Sequence, residues 1–198
     1  GLMPQLVAPL DRILFASGNR GKYREVVGLF ARTPVEVVFG PDLARLDVEE
    51  TGESYAVNAW LKARAWSMAT GMAALADDSG LEVRALGWAP GVRSARFAVT
   101  DADRIRGILE MMSGEPDRHA RFVAAFALYM PSGLCVVTEG ECRGDIAMSP
   151  SGGRGFGYDP VFRPWGFDMT FGELPEEVKR QISHRAEAGR RMIDVLFR

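Results

Sequence analysis

The sequence has few cysteines and no long hydrophobic run. Its two cysteines, Cys135 and Cys142, lie in one β-like stretch of the 198-residue chain, and they are too few for a disulfide framework or a zinc site. No apolar run approaches the roughly 20 residues that cross a bilayer. Asp11 and Arg12 interrupt the N-terminal segment before an apolar core develops, so a secretory signal is not expected. These absences favour a protein of the reducing cytoplasm.

The chain also lacks an excess of charge of either sign. Lys and Arg number 24 and Asp and Glu 26, which gives a formal charge of −2. No broad basic surface is therefore expected, and neither nucleic acid nor a membrane is predicted as a partner. The hydrophobic content of 47% is ordinary for a globular protein, and the length fits one domain over residues 1–198. Residues 1–10 are expected to be a tag remnant and a flexible N-terminus.

Two adjacent carboxylates, Asp77 and Asp78, follow the apolar run 72–76 and precede a Ser-Gly turn and a second strand, Leu81 to Val83. Charge of this density beside a buried segment is unfavourable unless it is compensated. A divalent cation could compensate it, because hard cations prefer carboxylate oxygens. The alternative is an Asx-type turn that caps the strand, in which both side chains bond to nearby amides. The stretch alone leaves both interpretations open.

A strand, a glycine-containing turn and a helix follow one another near the N-terminus. Apolar residues 13–16 predict a buried strand, residues 17–22 supply turn formers and two cations, and the pattern from Tyr23 to Ala31 predicts a helix. Free amides and the dipole at a helix N-terminus attract anions. The spacing is not that of a Walker A loop, because only two residues separate Gly18 from Gly21. The segment predicts either a phosphate-binding turn or a plain connection with a solvated lysine.

Periodicity and turn chemistry predict the other elements. They are a strand from Val35 to Phe39, a helix from Tyr55 to Thr70 with Ser54 as N-cap, a helix from Asp101 to Met112, a hairpin of Arg121 to Met130 and Leu134 to Glu141, and a C-terminal helical segment with Pro175 at its first position.

The helix from Tyr55 to Thr70 is expected to turn one face to the core. Its predicted core residues are Ala56, Trp60, Ala63 and Met68. Asn58 and Lys62 are four residues apart and share a face. These residues alone favour an outer polar stripe.

Residues 152–160 hold four glycines and two aromatics, Phe156 and Tyr158, beside Asp159. An aromatic ring next to a carboxylate suits a nucleobase, since the ring can stack and the carboxylate can accept an N–H. A glycine-rich turn with aromatics in the core is the alternative. His184 and Arg185 fall on the C-terminal helical segment, where such a pair is ordinarily at the surface.

Five stretches in this order resemble the inosine triphosphate pyrophosphatase family, of the Ham type, whose members hydrolyse deaminated purine nucleoside triphosphates. They are Ser17 to Lys22, Glu50-Thr51-Gly52 leading to Asn58-Ala59 and Lys62-Ala63, Ala76 to Val83, Gly155 to Phe162, and Ser183-His184-Arg185. The loop from Ala89 to Phe97 also matches, so the resemblance covers nearly the whole chain. Each stretch is a weak signal by itself, and their common order makes the match specific.

The resemblance implies an α/β fold, elongated and two-lobed, with a long mixed β-sheet and a central substrate cleft. It also implies a homodimer. The implied reaction is cleavage of inosine, deoxyinosine or xanthosine triphosphate (ITP, dITP, XTP) to the monophosphate and pyrophosphate. Magnesium is the implied cofactor and cleansing of the nucleotide pool the implied role.

Residue roles follow from the same resemblance, motif by motif. Asp78 is the implied base and, with Glu50, a magnesium ligand, while Asp77 and Lys22 support catalysis. The implied phosphate contacts are Ser17, Gly18, Asn19, Arg20, Gly21, Lys22 and Lys62. The remaining substrate contacts are Ser79, Phe156, Gly157, Tyr158, Asp159, Lys179, His184 and Arg185, with Phe156 stacked on the purine. Cationic donors suit the 6-oxo group of hypoxanthine and xanthine, where adenine carries a donor amine.

The chain departs from the family pattern at Trp88, where a glycine is common, and at Ala186 and Glu187 after Ser-His-Arg. Two other functions are alternatives to the implied pyrophosphatase activity. A Maf-type nucleotide pyrophosphatase is disfavoured by the Ser-His-Arg and Gly-Phe-Gly-Tyr-Asp stretches. A nucleotide-binding protein without catalysis is disfavoured by the intact acidic residues.

Overall fold

The computed structural model describes residues 10–198; the expected tag remnant lies outside them, apart from Leu10. The chain adopts a mixed α/β fold, which confirms the predicted class. The strands are β1 (Arg12–Phe15), β2 (Glu36–Phe39), β3 (Ala74–Val83), β4 (His119–Tyr129), β5 (Cys135–Ile146) and β6 (Phe162–Pro164). The helices are α1 (Arg20–Phe30), α2 (Tyr55–Thr70), α3 (Asp101–Met111), α4 (Glu176–Ile182) and α5 (His184–Leu196).

The six strands form one sheet in the order β2-β1-β3-β4-β5-β6. β1 is parallel to both β2 and β3, and β5 and β6 are antiparallel. A tight turn joins β4 to β5, where Met130 donates its N–H to the Leu134 carbonyl at 2.8 Å. The predicted hairpin is therefore confirmed.

The described residues form two compact units. The first unit holds residues 10–78, 124–140 and 185–198, and the second holds residues 79–123 and 141–184. The expectation of a single family domain over residues 1–198 stays a prediction.

The core of the first unit lies on both faces of the sheet. Successive side chains of a strand point to opposite faces. On one face Phe15 and Leu75 pack with side chains of α1 and α5, such as Phe30 and Met192. On the other face, alanines of β3 and β4 pack with α2. Burial on both faces explains why the strand sequences read as continuous apolar runs.

The core of the second unit is built around aromatic side chains. Phe122, Phe162 and Phe171 pack together there with side chains from β3 and α3. The Phe162 and Phe171 rings lie 5.7 Å apart and nearly parallel. This core supports the glycine-rich segment, from which Tyr158 and Val161 also join it.

The helix at the N-terminal turn begins earlier than predicted. Asn19 is its N-cap, and its Oδ1 accepts from the Lys22 N–H at 3.0 Å. Arg20 therefore opens the helix, three residues before the expected Tyr23. Only residues 17–19 remain as a turn.

The predicted break after Asp78 is wrong. β3 runs without interruption from Ala74 to Val83, so Ser79-Gly80 is strand and the aspartates do not cap a turn. The periodicity did not show this because a Ser-Gly pair is typical of turns, whereas pairing with neighbouring strands keeps the segment extended here.

The bounds of α2 are as predicted, and of its predicted core residues Ala63 is buried while Ala56 and Trp60 pack against the core. Met68 is 69% exposed, whereas Asn58 is fully buried and Trp66 lies in the core. An outer polar stripe is therefore wrong for Asn58. At the C-terminus Pro175 caps α4 instead of occupying its first turn, and a separate helix, α5, begins at His184.

Candidate active site

Strand alternation sends the two aspartates to opposite faces of β3. Leu75 belongs to the face covered by α1 and α5, and Ala76 to the face covered by α2. Asp77 accordingly points toward α1 and α5, and Asp78 toward α2. One peptide bond therefore separates two carboxylates with different surroundings.

Asp77 lies among cations. Its side chain is fully buried, and Oδ2 is 2.6 Å from the Lys22 Nζ and 4.0 Å from Nη1 of Arg185. Burial acts to raise the pKa of Asp77, but Lys22, Arg185 and Lys62 outweigh it and lower the pKa below its ordinary value of 3.8. Asp77 is therefore a fixed negative charge that holds two cations in place.

Glu25 extends this network and was not predicted as a site residue. Its carboxylate forms a close ion pair with Nε of Arg185, whose side chain is only 4% exposed. Glu25 lies three residues after Lys22 on α1, so both side chains are on one face of the helix. That spacing was the available sequence signal.

Asp78 has the opposite electrostatic character. It is 6% exposed and accepts one hydrogen bond from Nδ2 of Asn58 at 3.1 Å. Burial raises its pKa to about 6, with Asp77 and Glu50 adding to the rise and Lys62 opposing it. A carboxylate that titrates near neutrality suits the transfer of a proton to and from water.

Asn58 and Lys62 of α2 organise the acidic residues. Lys62 Nζ lies 2.7 Å from Glu50 Oε1 and donates to the Asp77 carbonyl at 2.6 Å. Asn58 accepts from the Gly52 N–H at 2.8 Å and donates to the Gly52 carbonyl at 3.2 Å. It therefore holds both the segment after Glu50 and the carboxylate of Asp78. Asn58 belongs to a matched motif but was not predicted as a site residue.

The carboxylates of Glu50 and Asp78 are the possible metal ligands of this site. Within residues 10–198, no group of three or more His, Cys, Asp and Glu is arranged to hold an ion. Glu50 and Asp78 offer two carboxylates, and Mg²⁺ in enzymes is commonly held by one or two carboxylates together with substrate phosphates. Burial is the main cause of the raised pKa of Asp78, and the nearby charges of Asp77 and Glu50, which a cation would offset, add to it. The residues fit a magnesium ion completed by phosphate oxygens.

The turn at residues 17–19 and the start of α1 offer an anion site. Ser17 Oγ accepts from the Asn19 N–H at 3.1 Å, which orders the turn. No atom outside the neighbouring residues lies within 4 Å of where a Cβ on Gly18 would be, and the first turn of α1, with Gly21 and Lys22, holds no acidic residue. The Arg20 guanidinium lies 4.5 Å from the Phe39 ring centroid.

A second group of predicted residues lies in the second unit. Lys179 Nζ is 2.7 Å from Asp159 Oδ2, with both side chains buried, and 4.7 Å from the Phe156 ring centroid. Asp159 Oδ2 also accepts from the Phe156 N–H at 3.1 Å. Gly155 has φ of +72°, and a Cβ there would collide with the Asp159 carboxylate, so only glycine fits this turn.

Three further predicted residues belong to the same unit. Ser79 is half-buried in β3. Tyr158 is buried and its hydroxyl donates to the Ser94 carbonyl at 2.7 Å, while burial raises its pKa to about 12. His184 is buried, and its ring stacks on Phe122 at 4.8 Å. Arg185, predicted as a contact of the base beside His184, pairs with Glu25 and lies 4.0 Å from Asp77 in the first unit; its contact with the base stays a prediction.

The sequence profile of the Ham1 family matches residues 13–195. The chain belongs to the Ham1 family. The resemblance inferred from five stretches is thereby confirmed.

Known proteins match the chain over most of their length. A dITP/XTP pyrophosphatase of Synechococcus sp. (strain CC9311) is 48% identical over 177 residues, covering 89% of this chain and 85% of that protein. One of Rhodospirillum centenum is 45% identical over 196 residues, covering 94% and 95%. The solved Ham1 protein of Coxiella burnetii has a TM-score of 0.85 at 38% identity, covering 93% of this chain and 98% of that one.

Proposed function

We propose that this chain is a nucleoside-triphosphate pyrophosphatase that hydrolyses the deaminated purine nucleotides ITP, dITP and XTP to monophosphates and pyrophosphate. Its enzyme class follows the Ham1 family, whose similar members are named dITP/XTP pyrophosphatase. The observation that carries the proposal is the pair Asp77 and Asp78. One is held ionised by cations and the other has a pKa near 6. The Ham1 match favours this function over a Maf-type enzyme.

Asp78 is the proposed base. With a pKa near 6 it is ionised at neutral pH and can accept the proton of an attacking water. Asp77 keeps Lys22 in place at 2.6 Å, and Lys22 and Lys62 offset charge that develops on the phosphates. The turn and the start of α1 supply amides and cations for those phosphates: Ser17, Gly18, Asn19, Arg20 and Gly21.

Magnesium is the proposed cofactor, with Glu50 and Asp78 as its ligands. A bound Mg²⁺ would neutralise phosphate charge and lower the pKa of a bound water. Lys62, 2.7 Å from Glu50, would keep that carboxylate oriented.

Phe156 is the proposed stacking surface for the purine. Asp159 and Lys179 lie next to it as an ion pair and supply an acceptor and a donor for the edge of the base. Lys179, His184 and Arg185 are the proposed donors to the 6-oxo group. Ser79, Gly157 and Tyr158 are proposed as further substrate contacts; the Tyr158 hydroxyl already bonds to Ser94.

The proposed setting is the cytoplasm, as a homodimer that removes deaminated nucleotides from the pool. The low cysteine content supports the location, and the Ham resemblance supports the dimer. Across residues 10–198 the structure shows no helix long and apolar enough to cross a membrane. The absence of nucleic acid and membrane partners stays a prediction.

A product assay tests the proposed function. The purified chain is incubated with Mg²⁺ and ITP, XTP, ATP or GTP, and products are separated by anion-exchange chromatography. We expect inosine or xanthosine monophosphate plus pyrophosphate, with ATP barely hydrolysed. Orthophosphate and a nucleoside diphosphate as products would refute the proposal.

Asp78→Asn tests the proposed base. The amide keeps the shape and can still accept from Asn58, but it cannot accept a proton, so we expect kcat for ITP to fall at least about 100-fold. Circular dichroism checks that the variant folds. A folded variant with near-wild-type kcat would exclude Asp78 as the base.

A further inference from the structure

Lys179 and the Gly172 N–H hold the turn at Asp159, and two further hydrogen bonds tie residues 157 and 158 to the segment 94–101 of the same unit. The Gly157 N–H donates to Oδ2 of Asp101 at 3.0 Å. The Tyr158 hydroxyl donates to the Ser94 carbonyl at 2.7 Å. Both ties belong to the second unit, and Asp101 lies in the first turn of α3.

Asp101 is itself held by Arg104. Nη1 of Arg104 donates to Oδ1 of Asp101 at 2.7 Å, which leaves Oδ2 for the Gly157 amide. Nε and Nη2 of Arg104 both donate to the Ala95 carbonyl, at 3.1 and 2.7 Å. The guanidinium therefore fixes the carboxylate against the 94–95 segment.

That segment is anchored to the sheet. Ser94 is buried, and its Oγ accepts from the Leu81 N–H of β3 at 2.8 Å and donates to the Gly91 carbonyl at 2.6 Å. The Tyr158 hydrogen bond thus ends on Ser94, which is bonded to β3, and the Gly157 hydrogen bond reaches the adjacent Ala95 through Asp101 and Arg104.

We propose that Asp101 and Arg104 are positioning residues that hold the Phe156–Asp159 turn in the conformation that receives the base. This inference rests on the proposed function of the turn. Gly155 and Gly157 both have positive φ, so the free turn has many conformations to lose on binding. The Asp101 side chain is 49% exposed, and its charged oxygen is a stronger acceptor for a backbone amide than a neutral group would be. Ordering the turn in advance lowers the free-energy cost of binding.

The same helical turn offers a matched control. Asp103 pairs with Arg106 three residues later, as Asp101 pairs with Arg104. Within the described residues, no hydrogen bond joins the Asp103 carboxylate to the glycine-rich turn. Asp103→Ala therefore removes an acidic residue and an ion pair from the start of α3 without touching the tie.

The experiment compares Asp101→Ala, Asp101→Asn and Asp103→Ala by amide hydrogen exchange and by steady-state kinetics with ITP. For Asp101→Ala we expect faster exchange in the 155–158 amides and a KM raised about tenfold, with kcat within about twofold. Asp101→Asn keeps an acceptor and should recover most of both effects. Asp103→Ala should change neither.

Equal effects of Asp101→Ala and Asp103→Ala would overturn the inference, as would unchanged exchange at residues 155–158. Faster exchange with an unchanged KM would overturn the role in binding. If Asp101→Ala does not fold, Arg104→Met against Arg106→Met makes the same comparison. Exchange requires no turnover, so a wild type that fails to hydrolyse ITP would refute the proposed function while the tie is still tested.

Discussion

Asp77 and Asp78 are neighbours in the chain, and their pKa values shift in opposite directions because β3 turns them to opposite faces. Asp77 meets Lys22 and Arg185, and Asp78 meets Asn58 and the negative charge of Glu50. Ionised Asp77 therefore stabilises the fold, whereas ionised Asp78 destabilises it. The base proposed for the reaction is the carboxylate that is unfavourable to bury in charged form.

This difference predicts that the stability of the metal-free protein, measured in the presence of a metal chelator, depends on pH. The pKa of Asp78 is about 6 in the folded protein against an ordinary 3.8. The protonated side chain therefore contributes to folding stability below about pH 4, and this contribution is lost as the pH rises through 6. Asp78→Asn should raise the free energy of unfolding at pH 8 by up to about 3 kcal/mol and change it little at pH 4. Urea unfolding at both pH values measures this.

Asp77→Asn is the comparison for that measurement. The pKa of Asp77 is lowered in the folded protein, so the Asp77 carboxylate stabilises the fold at neutral pH, and this stabilisation is lost as the pH falls below 3.8. The amide would leave Lys22 and Arg185 without their shared carboxylate, and we expect a loss of about 3 kcal/mol at pH 8. A more stable Asp77→Asn, or a less stable Asp78→Asn, at pH 8 would contradict the two assignments.

Trp88 shows how one residue departs from its family pattern. Its φ is +69°, a conformation that glycine adopts readily and other residues do not. The Arg121 guanidinium lies 4.0 Å from the Trp88 ring centroid, and Arg121 also pairs with Glu82. This contact offsets part of the backbone strain.

Substitution separates the ring from the backbone. Trp88→Ala keeps the backbone strain and loses the cation–π contact, whereas Trp88→Gly loses the contact and relieves the strain. We therefore expect Trp88→Ala to be less stable than Trp88→Gly by about 1 kcal/mol, measured by thermal unfolding. Equal stability of the two variants would mean that the backbone is not strained at this position.

At the scale of elements, α2 is the platform of the acidic site. Ser54 caps its first turn and Gly71, with φ of +72°, ends it. Between these ends, Asn58 and Lys62 stand one turn apart and bond to the segment 50–52 and to β3. The helix thus holds together two stretches that are distant in sequence.

Asn58→Ala should loosen this arrangement. It removes the tie to Gly52 and the one hydrogen bond to Asp78, so we expect kcat for ITP to fall about tenfold and more Mg²⁺ to be needed for half-maximal rate. Ser67→Ala is the matched control, because Ser67 is also buried on α2 and its Oγ has no hydrogen-bond partner in the described structure. Similar losses in both variants would assign Asn58 to stability alone.

At the scale of the whole molecule, the proposed homodimer is directly testable. Large apolar side chains are exposed in both units, among them Met68 at 69% and Met148 at 78%. Single exposed apolar side chains are ordinary on a protein surface, so the dimer is proposed from the Ham resemblance. Multi-angle light scattering should give twice the 21.7 kDa of one chain. A mass of 21.7 kDa at micromolar concentration would exclude the dimer under those conditions.

Most of the secondary structure could be predicted because its signals are local. The apolar run at residues 13–16, Ser54 before α2, and Pro131-Ser132-Gly133 between β4 and β5 act through near neighbours in the chain. One error came where distant contacts outweigh local preference: Ser79-Gly80 is extended because it belongs to β3, a strand inside the sheet. The other concerned a local signal, because α1 starts at Arg20 where Asn19 caps it.

By itself the sequence determined the family and the α/β class, because the order of the motifs and the periodicity of the apolar residues are properties of the sequence. The tertiary structure alone decided how Asp77 and Asp78 differ, that Asn58 is buried, that Glu25 holds Arg185 and that Asp101 holds the glycine-rich turn. Each of these depends on which side chains from distant parts of the chain meet. The pKa of a side chain and its hydrogen bonds depend on these tertiary contacts, and no local sequence pattern predicts them.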